Sequence, residues 1–232
     1  MIKIETGCRC IDINIGGGIS PESVALIYGE PETGKTTLAI QCAVSCALQN
    51  YKTLFVDCDN TFSAKRLSQV SADRFDEVAE HIILIKPKDF REQTAVIERI
   101  QDYTTKNFGL IIIDTFTSLY GAKVADLSGK AFGVNRELNR QLAILAQTAK
   151  IRKIPVIITS QVRSVFDELN VSVAPVATRV LKFWADTIIA VKPTDYPQTI
   201  KAVLEKTREN KQEVTCYVQI GETGIRDAKF HE

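Results

Sequence analysis

Two stretches, Leu110-Ile111-Ile112-Ile113 and Val156-Ile157-Ile158, contain no polar alternation at all. A strand with one face in water alternates apolar and polar residues. Unbroken branched aliphatics therefore mark strands covered on both faces, as in a parallel sheet packed between helices. These runs belong to the strand candidates Leu110–Asp114 and Pro155–Ser160, and Val24–Tyr28, Thr53–Asp57, Ile82–Ile85 and Thr187–Val191 are candidates of the same kind. Helical patterns fill the intervals. Lys35–Leu48 follows a glycine, and Asp89-x-x-Glu92 reads as a capping box after which Val96, Ile100 and Tyr103 keep one face apolar. Val134, Leu138, Leu142, Leu145 and Ala149 mark a long amphipathic helix ending near Lys150–Lys153. Alternating strands and helices predict a doubly wound α/β sheet. Ile200–Lys206 and Val214–Ile220 read as antiparallel strands with Arg208–Gln212 as their turn, and Gly221 and Gly224 punctuate the end. They predict a C-terminal hairpin extending that sheet within a single domain, 1–232.

Directly after the first strand stands Gly29-Glu30-Pro31-Glu32-Thr33-Gly34-Lys35-Thr36, the pattern G-x-x-x-x-G-K-T. Glycines let the backbone amides turn inward as an anion nest, and the free donors at the start of the following helix add to it. The expected phosphate-binding set is Gly29 through Thr36 with Thr37 beside it. Lys35 would reach the β- and γ-phosphates and the Thr36 hydroxyl would coordinate magnesium. A second magnesium ligand is expected from Asp114, which closes an apolar strand at the edge where open α/β sheets bind ligands. The strand Thr53–Asp57 also ends on acids, Asp57-Cys58-Asp59. An acid there could orient a water for attack on a γ-phosphate. Asp57 could equally cap the next segment or pair with a lysine, and spacing alone does not decide the role of Asp59.

Composition limits the remaining possibilities. Lys plus Arg number 29 and Asp plus Glu 28, which argues against coating nucleic acid by bulk charge. The six cysteines are Cys8, Cys10, Cys42, Cys46, Cys58 and Cys216; in a chain of this length they are expected to be buried and reduced, and a zinc site is not expected. No signal-like start and no apolar run of spanning length is present, so a cytoplasmic protein with no membrane partner is expected.

Along its whole length the sequence resembles the RecA/RadA recombinase family. The likeness runs from Ile4-Glu5-Thr6-Gly7, Asp12 and Gly16-Gly17-Gly18-Ile19 through the phosphate loop and Gln41. It continues through Val56–Phe62, Leu110–Asp114 and Thr159-Ser160-Gln161-Val162, and closes at Gly224-Ile225-Arg226-Asp227. The resemblance implies a RecA-like P-loop NTPase core that uses ATP and Mg2+. It makes Asp59 the catalytic carboxylate, where the family normally has Glu in "DTEGTF", and Asn60 stands at the family's glycine. The carboxylate is one methylene short, which implies slow or negligible hydrolysis. Gln161 matches the glutamine of "TNQV", an amide expected to contact the γ-phosphate and to link nucleotide state to DNA affinity.

Two segments align with the family's DNA-facing loops. These are Gly121–Gly133 with Lys123 and Lys130, and Val162–Val180 with Arg163 and Arg179, both expected to be flexible. The basic turn Lys206–Lys211 is a further candidate, with a solvated hairpin face as the ordinary reading, and Phe183 and Trp184 are expected in the core. An N-terminal helical domain is not expected and no Phe-x-x-Ala motif occurs in these 232 residues, so filament assembly by that route is not expected. The resemblance thus implies a recombination accessory protein that binds ATP and DNA. It would assist a RadA-type recombinase or a Holliday-junction nuclease, and a homodimer is compatible with that role. An autonomous strand-exchange recombinase and a signalling ATPase of the KaiC type share this core and stay open.

Overall fold

The computed structural model describes residues 3–127, 131–167, 170–175, 177–208 and 212–228. After the short helix α1 (Arg9–Asn14) come β1 (Val24–Gly29), α2 (Lys35–Leu48), β2 (Lys52–Asp57) and α3 (Ala64–Ser71). A 3-10 turn (Ala72–Arg74) leads to α4 (Phe75–Ala79), β3 (Ile82–Ile85), α5 (Phe90–Glu98), α6 (Ile100–Tyr103), β4 (Phe108–Asp114), α7 (Ser118–Ala125) and α8 (Phe132–Arg152). The chain continues as β5 (Val156–Asp167), β6 (Asn170–Pro175), α9 (Thr178–Trp184), β7 (Thr187–Pro193), β8 (Thr199–Lys206), β9 (Val214–Gly221) and β10 (Gly224–Asp227). The sheet order is β10-β9-β8-β7-β1-β5-β4-β2-β3, with β6 paired only to β5. The pairs from β7 through β1, β5, β4 and β2 to β3 are parallel, and those from β7 to β10 are antiparallel.

The period of two along each strand sorts its side chains between two cores. Leu110 and Ile112 of β4, with Phe55 and Ile157, pack against Leu38, Ala39, Cys42 and Ala43 of α2. Ile111 and Ile113, with Leu54 and Ile158, pack against Leu138, Leu142 and Leu145 of α8. Truncating any of these buried aliphatics to Ala should cost roughly 2–5 kcal/mol. Asp89 caps α5, accepting the Glu92 amide at 2.8 Å, while Glu92 reaches one residue past the cap, to the Lys88 amide at 2.8 Å.

The structure corrects several expectations. The C-terminal hairpin is the core of a three-stranded extension, because β10 folds back along β9. Residues 162–167 and 170–175 are not an irregular loop but an antiparallel hairpin, in which β5 runs past the sheet edge and pairs with β6. The β-branched Val162, Val165, Val171 and Val173 favour that extended backbone. The first half of 121–133 is helical through Ala125. Phe183 is 74% exposed and stacks edge-on against Trp184, which packs partly on the core.

The cysteines also differ from expectation in part. Cys8, Cys42, Cys46 and Cys58 are free and buried, but Cys10 and Cys216 form a disulfide between α1 and β9. The two positions meet because the N-terminal lead-in folds onto the C-terminal strands. Asp227 accepts the Arg9 and Cys10 amides at 2.8 and 3.0 Å, capping α1 from β10. Gln41 of α2 donates to the Thr6 and Ile225 carbonyls at 3.0 and 2.9 Å and accepts the Ile225 amide at 2.6 Å.

Burial pushes the Cys8 thiol up to about 12 and the Cys46 thiol up to about 11, so both stay protonated near neutrality. Thiol titration in denaturant is therefore expected to count four groups without reductant and six with it, while the native chain alkylates slowly at pH 8. Cys10→Ser should lower the unfolding free energy by about 2–5 kcal/mol, since the bridge closes a loop spanning 206 residues. Six thiols without reductant would refute the bridge.

Candidate nucleotide site and its neighbours

Parallel register brings the ends of β1, β4 and β2 alongside residues 159–161 of β5. Gly29 is paired with Gln161, and Asp57 with Asp114. The phosphate loop leaves β1 at that level and enters α2. A Cβ at Gly29 would lie 2.1 Å from the Val191 carbonyl oxygen, and Gly34 holds φ +81 against Ile220 and Ile225. Both glycines are thus required for the loop to close over the sheet. Thr33 donates to the Glu30 carbonyl at 2.8 Å, and Lys35 folds back to the same carbonyl at 2.5 Å. Burial lowers the Lys35 pKa, and the neighbouring carboxylates of Asp114, Asp59 and Glu30 oppose that shift. The adjoining cleft is lined by Glu32, Gly34, Lys35, Thr36, Thr37 and Ile220.

Asp114 is fully buried at the end of β4. It accepts from the Thr159 hydroxyl and from Thr61 Oγ1 at 3.4 Å. Burial raises its pKa and the neighbouring Asp57 carboxylate adds to the rise, while the Thr159 and Thr36 hydroxyls and Lys35 work against it. A carboxylate beside a hydroxyl at the base of an anion nest is an all-oxygen set suited to magnesium, so the residues present fit that ion.

The two acids after β2 have separated roles. Asp57 is fully buried and accepts the Thr61 and Phe62 amides at 3.0 and 3.2 Å. It also pairs with Lys86 at 3.2 Å, so its carboxylate is occupied in turning the chain toward α3. Asp59 stands half-buried at the site. It accepts Ser118 Oγ at 2.6 Å and Gln161 Nε2 at 3.2 Å. Asn60 takes φ +55, the left-handed conformation that glycine supplies in the family pattern and that Asn tolerates better than most residues.

Sequence reasoning missed Arg66, Ser118 and Lys86. Arg66 of α3 bonds the Thr37 hydroxyl at 3.3 Å and the Glu222 and Gly221 carbonyls at 2.8 and 3.0 Å, which ties the β9–β10 turn to the phosphate-loop helix. No local spacing marks a basic side chain that acts across such a gap. Ser118 could have been suspected as a hydroxyl four residues beyond Asp114.

The basic residues proposed to face DNA are less gathered. Lys123 is exposed in the last turn of α7 and Arg179 is exposed on α9. Arg163 lies on β5 opposite Ala174, and Lys130 falls outside the described residues. The basic turn is tied down in part. Lys206 bonds the Ala185 carbonyl at 2.5 Å, and Arg208 pairs with Asp186 at 3.2 Å.

Comparison with known proteins agrees with this geometry. The Rad51 family model matches residues 1–228. The chain belongs to the Rad51 family. It is 33% identical to the DNA repair and recombination protein RadB of Thermococcus kodakarensis over 97% of this chain and all of that one. RadB of Methanococcoides burtonii is 31% identical, with 97% of each chain covered. A crystal structure of the RadB recombinase superposes with a TM-score of 0.82 at 31% identity, covering 97% of this chain and 100% of that one. The resemblance read from the motifs therefore holds at full length, as does the RecA-like fold, which implies nucleotide binding. Among the described residues no helix is long and apolar enough to cross a membrane.

Asp57→Asn should lower the unfolding free energy by roughly 1–3 kcal/mol, because a buried hydrogen-bonded ion pair is broken. A urea midpoint equal to wild type would show that Asp57 is not the structural acid.

Proposed function

We propose that this chain is an ATP- and DNA-binding accessory protein of DNA repair and homologous recombination, with slow ATP hydrolysis. The observation that carries the reading is the meeting of Asp59 and Gln161, 3.2 Å apart, beside Lys35 at the phosphate loop. The full-length similarity to proteins named for DNA repair and recombination supports the biological setting.

Loop amides from Gly29 to Thr37, Pro31 excepted, and the Lys35 ammonium would hold the triphosphate, and Thr36 with Asp114 would hold magnesium, which supplies charge neutralisation at the phosphates. Asp59 orients the attacking water and accepts its proton. Its side chain is one methylene shorter than the family's glutamate, and placement errors of this size slow chemistry strongly. Gln161 stands where β5 leaves the sheet for the hairpin, so a change in its bonding is transmitted to the segment expected to face DNA. Lys123, Lys130, Arg163 and Arg179 supply phosphate contacts there. A RadA-type recombinase or a Holliday-junction nuclease is the protein partner, and the working assembly includes a homodimer.

Lys35→Ala is expected to abolish ATP binding in calorimetry with little change in the urea midpoint; undiminished binding would remove the phosphate-loop assignment. DNA affinity measured over a range of salt, with ADP, with a non-hydrolysable ATP analogue and without nucleotide, is expected to weaken with salt and to shift with nucleotide. Efficient strand exchange by the isolated chain would favour an autonomous recombinase instead, and DNA-independent transfer of labelled phosphate to the protein would favour a signalling autokinase. In single-turnover hydrolysis Asp59→Glu should be faster than wild type, and no gain would count against the short-carboxylate explanation.

A further inference from the structure

We propose that Ser118 is a positioning residue for the Asp59 carboxylate, holding it in a hydrogen-bonded ring that couples the start of α7 to the nucleotide site. The inference rests on the reading of Asp59 as the carboxylate that acts on water.

Asp59 sits on the loop between β2 and α3, where a carboxylate would otherwise wander. Each of its oxygens has a separate donor on a separate element: Ser118 at 2.6 Å on Oδ1 and Gln161 at 3.2 Å on Oδ2. The Ser118 contact is short and charge-assisted, the stronger kind of hydrogen bond.

The hydroxyls at the head of α7 support the same conclusion. Ser and Thr at a helix start ordinarily satisfy the helix's own free amides. Thr117, the residue before α7, makes no such side-chain cap. Its hydroxyl instead pairs with Ser160 Oγ at 3.0 Å, next to Gln161. Thr117–Ser118, Asp59 and Gln161–Ser160 thereby close a ring through two peptide links and three hydrogen bonds. One side of the ring is the backbone of β5 at Ser160–Gln161, and another is the head of α7, three residues past the end of β4. The loop acid is thus fixed by the sheet edge, which is what precise placement of a catalytic group requires.

The ring predicts a reciprocal effect across elements. In the nucleotide-free chain, Ser118→Ala should speed amide exchange at Thr61 and Phe62, in the Asp59 loop, several-fold. Asp59→Ala should speed exchange along α7, and Ser118→Thr, which keeps the hydroxyl, should resemble wild type. In hydrolysis Ser118→Ala should lower kcat about tenfold with KM nearly unchanged, and should add nothing in the Asp59→Ala background. Unchanged exchange at Thr61 and Phe62 in Ser118→Ala, or a wild-type kcat in that variant, overturns the proposal. A wild-type chain that never turns over ATP in a single-turnover assay sinks the hydrolysis reading instead, and the exchange comparison then decides the role of Ser118 alone.

Discussion

The side-by-side register of β1, β5, β4 and β2 governs the rest of the molecule. These strands are buried on both faces, so nearly every backbone amide and carbonyl within them must find its partner in the ladder. Their ends are therefore not free to slide. Gly29 lies opposite Gln161 and Asp57 opposite Asp114, and whatever polar residue closes one strand meets those closing its neighbours. The phosphate loop, the buried Asp114 and the amide of Gln161 converge because β1, β4 and β2 end close together along β5, near the point where β5 leaves the sheet.

The chain ends depend on the same sheet through a second set of polar contacts. Gln41 projects from the phosphate-loop helix and bonds both Thr6 and Ile225. Asp12 accepts the Thr6 amide at 2.8 Å and its hydroxyl at 2.9 Å, and Asp227 caps α1. The lead-in and the closing residues of the family pattern are thus one packing unit, although they stand at opposite ends of the sequence. The Cys10–Cys216 bridge reinforces the same junction. Arg66 adds a tie from α3 to the β9–β10 turn, so the α2 side of the phosphate loop is braced by the terminal strands.

Asp57 and Asp59 show how two adjacent acids acquire different work. Asp57 is still within the strand, so its side chain is buried and must be neutralised locally, by two amides and Lys86. Asp59 is two residues further, past the last ladder bond, and reaches the sheet edge where Lys35 stands. The left-handed Asn60 turns the chain away immediately afterwards. A short carboxylate on such a turn needs external support, and the Ser118 and Gln161 donors supply it.

Much of the architecture was legible in the residues. The unalternating runs identified buried parallel strands, since only helices on both faces can cover them, and the spacing of Val134 to Ala149 identified α8. The glycines and Lys35 identified the phosphate loop, since few side-chain patterns leave room for an anion nest. Local pattern failed where contacts were distant. The hairpin of 162–167 with 170–175 read as a loop because β6 pairs only with the protruding end of β5. Phe183 read as core because composition does not reveal which face of a seven-residue helix is left uncovered. Cys10 and Cys216 could not be matched before the fold placed them together. The sequence by itself determined the fold class, the phosphate loop and the set of candidate acids, because periodicity and backbone sterics are local. Only the tertiary structure decided that Asp57 is a structural acid and that Asp59 is held by Ser118 and Gln161, because those roles depend on which donors lie within about 3 Å after strands far apart in the chain align.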